Sequence, residues 1–385
     1  MIVISCSLDS SLAQAATQGT LQQHRERYEL FSTFDKVTIL TQDTHNFSSK
    51  LGKVTHVPCA KHKIKKLQTI TSRIKYLRWL QFAFNSFNWL LINRNQINVV
   101  ISENVDSPIP VLFITFFRIP YFIHYHYDVA AQVGKINKSH MEGILLSTLE
   151  RLGFRKATAV WVTAKSLALK AETLGAKKVT VIPNWIDFSK SRERTNIGEK
   201  NKKKIAFVGR LHPVKQVPLL LQAFQKVAIS DSNIQLTVVG DGDERKNLET
   251  LSRELGIERQ VVFTGFKDRD DVFSILSESE LLVLPSKMEG NPRVLIEAMM
   301  LKVPIVATKV PGIVDMIKDG HTGHLVPAGS PAKLAAAIEL ILQNRDYASK
   351  LAENAYIFAK QQFSKEQVQQ RVENDLKSVT FSKKF

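Results

Sequence analysis

The sequence predicts an α/β protein of two doubly wound parallel-sheet domains. Three observations carry this. Short β-branched runs alternate with longer helix-periodic segments along the whole chain. The runs are almost continuously apolar instead of alternating, as strands of a parallel sheet covered on both faces must be. A charged stretch poor in apolar residues interrupts the pattern near mid-chain.

Taken in order, the strand candidates of the first half are Ile2–Ser5, Lys36–Thr41, Val54–Val57, Asn98–Ser102, Tyr121–Tyr125, Ala159–Val162 and Val179–Ile182. Those of the second half are Lys204–Val208, Ile234–Val239, Val261–Thr264, Leu281–Leu284 and Ile305–Ala307. Between the halves lies SKSRERTNIGEKNKKK, whose single apolar side chain is Ile197, a solvated linker by composition. From Pro331 to Lys377 the pattern is helical. The expected organisation is therefore a first domain at 1–187, a linker at 188–203, a second domain at 204–365 and a C-terminal helix or tail at 366–385.

With 385 residues, 44% apolar and 23% charged, the chain is neither disordered nor polytopic in a membrane. Its net charge is +17, and the excess is uneven: residues 1–200 hold 27 basic against 14 acidic side chains, residues 201–385 hold 26 against 22. Such a surplus suits a polyanion, whether nucleic acid, an anionic membrane or a phosphorylated substrate. Cys6 and Cys59 make no disulfide framework and have no metal-ligand spacing around them, which fits a reducing cytoplasm. The N-terminus lacks the basic n-region of a signal peptide. The longest mostly apolar stretch, residues 79–92, falls short of the roughly 20 residues of a spanning helix.

Three motifs carry chemistry, all in the second half. VGRLHPVK, Val208 to Lys215, ends a strand with Gly209 and places Arg210 and Lys215 at its mouth, where open α/β sheets bind ligands. VVGDGDERKNLE repeats the strand, glycine, helix arrangement with Gly240 and Gly242, a weak signal by itself. In LPSKMEGNPRVLIEAM, Leu284 to Met299, a loop carries Glu289 and Gly290, and Asn291-Pro292 reads as an N-cap and N1 pair opening a helix that contains Glu297. The first N–H groups of that helix suit a phosphate, and the two carboxylates suit ligand hydroxyls. Alone, the pair of glutamates reads as well as a capped helix with incidental acids.

In this order and spacing the motifs resemble the family 4 retaining, nucleotide-sugar-dependent glycosyltransferases, whose GT-B architecture sets two Rossmann-like domains across a cleft. The resemblance is nearly continuous from Lys204 to Pro327 and looser through PYFIHYHYD and VTVIPNWID. It implies that Arg210 and Lys215, beside Gly209, neutralise the donor diphosphate, that Glu297 holds the ribose, and that Glu289 lies at the transferred sugar. It further implies backbone contacts to sugar and phosphate from Gly290, Asn291, Pro292, Arg293 and Val294. In the first domain it points to His126 as the residue touching donor sugar or acceptor hydroxyl, with His124 one strand period earlier and Asp128 as a neighbour. Asn184 takes an architectural part at the interdomain crossing. The co-substrate would be a UDP- or GDP-linked sugar, with no metal and no other cofactor.

The chain departs from the family at several points. Gly19 is the single glycine of the first strand-to-helix loop, Gln216 stands where glycine usually follows the lysine, Trp185 follows Asn184, and Lys302 occupies the usual glycine of a turn. EGNPRVLIEA still resembles the members that build capsular, exopolysaccharide or lipopolysaccharide glycans. Competing readings are a non-catalytic nucleotide-sugar-binding subunit and a GT-B-related epimerase or phosphorylase.

From Thr44 to Ser102 there is no acidic residue, while ten Lys or Arg are interleaved with Tyr76, Trp79, Phe82, Phe84, Phe87 and Trp89. That composition suits either a core helix with solvated lysines or docking on an anionic membrane. The expectation is a cytoplasmic protein, peripheral on the inner face of the membrane, with a lipid-linked or glycan acceptor. Nucleic acid is not expected, since no nucleic-acid-binding motif is present.

Overall fold

The computed structural model describes residues 2–5, 28–31, 36–41, 54–59, 71–103, 119–126, 140–190 and 203–380. The chain forms two compact units, Met1–Ile182 with Gln369–Phe385, and Pro183–Val368. Each is built on one parallel sheet.

The first sheet contains β1 (Ile2–Ser5), β2 (Val37–Thr41), β3 (Thr55–Pro58), β4 (Val99–Glu103), β5 (Tyr121–Tyr125), β6 (Ala159–Val162) and β7 (Val179–Val181), in the spatial order β3-β2-β1-β4-β5-β6-β7. Every residue of β4 and β5 is buried, which explains why these strands read as unbroken apolar runs. Helices α1 (Thr71–Asn93), α2 (His140–Lys156) and α3 (Lys165–Thr173) belong to this unit. On α1, Phe82, Ala83, Ser86 and Leu90 are buried, whereas Phe84, Leu91 and Ile92 are exposed. Within the aromatic run Phe82 thus faces the core and Phe84 is exposed. No described helix is long and apolar enough to cross a membrane. Cys59 is a buried packing residue whose thiol is pushed up to about 11 by desolvation.

The second sheet runs β10-β9-β8-β11-β12-β13, from β8 (Lys203–Val208), β9 (Ile234–Val239), β10 (Val261–Gly265), β11 (Leu281–Leu284), β12 (Ile305–Thr308) and β13 (His324–Val326). It is covered by α4 (Val217–Ser230), α5 (Arg245–Glu254), α6 (Arg269–Ser277), α7 (Arg293–Met300), α8 (Pro331–Gln343) and α9 (Arg345–Phe363). Along α4, Val217, Leu220, Leu221, Phe224, Val227 and Ala228 recur at helical spacing and are all buried, facing the sheet and α8. Each large apolar side chain buried there contributes about 1.5–3 kcal/mol.

All twelve strands read from the sequence are present to within a residue or two at their ends. The thirteenth, β13, leaves no mark in the sequence: three residues beginning with a histidine give no periodic signal. The last helix, α10 (Lys365–Thr380), is present where a C-terminal helix or tail is expected, and its residues from Gln369 on belong to the first unit. There Asp375 accepts a 2.6 Å hydrogen bond from the Trp161 indole and pairs with Lys178.

Two of the departures from the family pattern have a backbone consequence. Gln216 and Lys302 are the two non-glycine residues at positive φ among the described residues, at 50° and 51°. A side chain in this left-handed region costs on the order of 1 kcal/mol or more, and the buried Gln216 Oε1 has no hydrogen-bond partner. Gln216→Gly removes both penalties against the greater unfolded-state entropy of glycine. It should raise the melting temperature of the second unit by a few degrees, about 1 kcal/mol, in differential scanning calorimetry.

Candidate active site

The strand order of the second sheet reverses between β8 and β11, and loops at the carboxyl ends of those two strands are where such sheets bind ligands. The loop after β8 begins at Gly209 and runs through exposed Arg210 to Lys215. It is locked to the next strand by Gly209 N donating to Val239 O and Leu211 N donating to Asp241 O, both at 2.9 Å. Gly240 makes this approach possible: with φ at 129°, a Cβ there would lie 2.0 Å from the Gly209 carbonyl oxygen. His212 caps the short turn that follows, its Nδ1 accepting from Val214 N at 3.3 Å.

The loop after β11 is tied to the first by Lys287 N, which donates to Val214 O at 2.8 Å. Lys215 and Glu289, 74 residues apart, meet through a 2.5 Å contact between Nζ and Oε1. Ser286 Oγ donates to the same oxygen at 2.6 Å, and Thr308 Oγ1 fixes Ser286 by donating to its carbonyl. The Glu289 side chain is 8% exposed and that of Lys215 19%, so the pair is shielded enough to act electrostatically and still reachable by a ligand. Behind the loop lies Gly312, where a Cβ would come within 2.4 Å of the carbonyl oxygens of both Glu289 and Gly290. Gly312 and Thr308 belong to this site, and the motifs do not single them out.

The opening of α7 corrects one expectation. The N-cap position is Pro292, and Asn291 makes no capping bond. Its side-chain oxygen accepts from Asn184 N at 2.9 Å, while Asn184 Nδ2 donates to Asn291 O at 2.5 Å. Asn184 therefore has an architectural task, pinning the loop that carries Gly290. Arg293 and Val294 follow as the first residues of α7, where N–H groups lack intrahelical partners. Glu297, on the same helix, is buried and lies 3.9 Å from the Arg269 guanidinium.

In the first unit His126 stands just beyond β5 and Glu103 at the end of β4. Their Nε2 and Oε2 are 2.5 Å apart. The His124 ring lies 4.0 Å from that of His126, on the same strand face, with its Nδ1 3.7 Å from Glu103 Oε1. The sequence does not single out Glu103, because its place beside the histidines follows from the pairing of β4 with β5, which sets Glu103 opposite His124. Gly19 and Asp128 lie outside the described residues.

Two family models match in succession: "Glycosyl transferase 4-like domain" over residues 29–185 and "Glycosyl transferases group 1" over residues 188–358. The chain belongs to the family 4 glycosyltransferases, of the GT-B fold class. Alpha-D-kanosaminyltransferase of Streptomyces kanamyceticus is 29% identical over 54% of this chain and 56% of its own length. A Campylobacter jejuni alpha-1,4-N-acetyl-D-galactosaminyltransferase, named for a diNAcBac-PP-undecaprenol glycan, is 30% identical over 57% of this chain and 60% of its own length. The chain thus spans less than two thirds of these relatives. Among solved structures, Anabaena HepE in complex with UDP shares the fold with a TM-score of 0.77 at 18% identity, covering 98% of this chain and 99% of that one.

The pin between Asn184 and Asn291 should be visible in stability. Asn184→Ala keeps the backbone N–H that Asn291 Oδ1 accepts from but strands the Asn291 carbonyl oxygen, at a cost of about 1–3 kcal/mol, measured as an earlier urea midpoint for the second unit.

Proposed function

We propose that this chain is a retaining glycosyltransferase that moves a hexose-type sugar from a nucleoside-diphosphate sugar to a lipid-linked or glycan acceptor, in synthesis of a cell-surface polysaccharide or glycolipid. The observation that carries the reading is the Lys215, Glu289 and Ser286 cluster at the switch point of the second sheet. A leaving nucleoside diphosphate gathers negative charge as the glycosidic bond breaks, and fixed cations stabilise it without reorganising. In this reading Arg210, Lys215 and the α7 N-terminus take that charge, Gly209 lets the phosphates approach the backbone, and no metal is needed at the diphosphate.

Glu289 has Oε1 committed to Lys215 and Ser286. Oε2 is the oxygen it offers to a hydroxyl of the transferred sugar, where its charge also favours an oxocarbenium-like transition state. Backbone groups of Gly290, Asn291, Pro292, Arg293 and Val294 line the sugar and phosphate, and Glu297 accepts from the ribose hydroxyls. His126 contacts the donor sugar or the acceptor hydroxyl. The donor nucleotide is UDP or GDP; the UDP in the HepE complex supports the first.

The acceptor side reads as membrane-proximal. On α1, Phe84 (63% exposed), Leu91 and Ile92 are seven and eight residues apart and so share a face. They lie within the acid-free stretch, with Arg73, Lys75 and Arg78 earlier in the same helix. Apolar side chains among cations suit the interface of an anionic leaflet. The undecaprenol-linked glycan in the name of the Campylobacter relative supports a lipid-linked acceptor.

Two experiments decide these readings. Incubation with labelled UDP- and GDP-sugars and lipid extract should move label into lipid, with the anomeric configuration of the donor kept. Glu289→Ala and Lys215→Ala should each lower the rate by at least about a hundredfold. Wild-type turnover in either variant refutes the assignment, and binding or hydrolysis without transfer favours a non-catalytic subunit or a related activity. In co-sedimentation the chain should bind anionic vesicles, release with salt and ignore neutral ones; equal binding to both contradicts docking by charge.

A further inference from the structure

We propose that Glu103, His124 and His126 form a binding site for a divalent transition-metal ion of the zinc class. Among the described residues these three are the group of histidine and acidic side chains whose potential ligand atoms all lie within 4.8 Å of one another. The geometry arises from the sheet itself. His124 and His126 alternate onto one face at the end of β5, and register places Glu103 of β4 directly opposite His124.

The atoms are disposed for ligation. His126 Nε2 and Glu103 Oε2 are bridged by a proton across 2.5 Å, and His124 Nδ1 lies 3.7 Å from Glu103 Oε1. A cation bonded to imidazole nitrogen and carboxylate oxygen at about 2.0–2.2 Å replaces that bridging proton once the two ligand atoms part by roughly 0.5–1 Å, the separation a tetrahedral or octahedral ligand angle requires. The second imidazole supplies the independent sign. His124 is 93% buried, and its Nε2 has no hydrogen-bond partner. A buried polar atom left unpaired costs about 1–3 kcal/mol, a cost that an ion bound at Nε2 itself offsets, with Nδ1 keeping its approach to Glu103.

The surroundings hold the ligands in place. Thr163 Oγ1 donates to the His126 carbonyl at 3.0 Å. The Trp161 ring meets His124 edge-on at 5.9 Å and is itself anchored by Asp375. Such outer contacts fix ring orientation in metal sites. Two imidazoles and a carboxylate suit zinc, cobalt or nickel over magnesium or calcium, and three protein ligands leave a position for water or another oxygen ligand. Because the ion displaces a proton, affinity falls as pH drops. The site does not rest on the transferase reading; if both hold, metal and sugar compete for His126 Nε2, and zinc inhibits transfer.

The test reads metal content, not activity. The chelator-stripped full chain is dialysed against micromolar Zn2+ at pH 7.5 and at pH 5.5, and bound zinc is counted. The expected result is about one ion per chain at pH 7.5, fewer at pH 5.5, and at least tenfold weaker binding in both Glu103→Gln and His124→Gln. Should a variant fail to fold, Co2+ added to the wild-type chain decides: visible absorption typical of nitrogen and oxygen ligation, lost on adding Zn2+, supports the site. No retained zinc, zinc held equally by folded variants, or a cobalt spectrum of the hydrated ion overturns it.

Discussion

The second unit depends on one constraint: the loops that follow β8 and β11 must be held against each other at the reversal of strand order. Everything placed there serves that juxtaposition. Gly240 lets one loop close on its neighbour, Lys287 ties the two loops, Asn184 pins the far end, and Gly312 leaves room behind. Only then can a lysine and a glutamate 74 residues apart share one oxygen contact. Buried charge of this kind costs several kcal/mol unless it is paired and hydrogen-bonded, and Ser286, itself fixed by Thr308, supplies the second hydrogen bond to the carboxylate.

The first unit shows the same logic with different chemistry. A buried acid at the end of one strand faces two histidines at the end of the next, and the tryptophan of the strand beyond meets His124 edge-on. That tryptophan is held by a helix from the end of the chain. The uneven charge of the sequence is consistent with this division. The surplus lies in the first 200 residues, within and around an acid-free stretch that ends at Glu103, the acid that the histidines surround.

Much of this was legible in the sequence because parallel strands buried on both faces leave an unbroken apolar signature, and twelve of them could be read directly. The motifs that carry Lys215 and Glu289 were also legible as loops at strand ends, and the family resemblance singled those two residues out, though not their direct contact. What could not be read depended on partners distant in the chain. Asn291 before Pro292 looks like a helix cap, yet its side chain is claimed by Asn184. Glu103 acquires meaning only through strand register, and the return of the last helix to the first unit shows only in distant contacts such as those of Asp375 with Trp161 and Lys178. Gln216 and Lys302 carry their strain invisibly, because only the backbone angle reveals it.

The central claim, that the meeting of Lys215 and Glu289 is the donor site, is tested most directly by a crystal structure of the chain with UDP or GDP bound. The account predicts the diphosphate against Lys215, Arg210 and the first turn of α7, with the ribose hydroxyls on Glu297. A nucleotide bound elsewhere, with this loop pair empty, would contradict it.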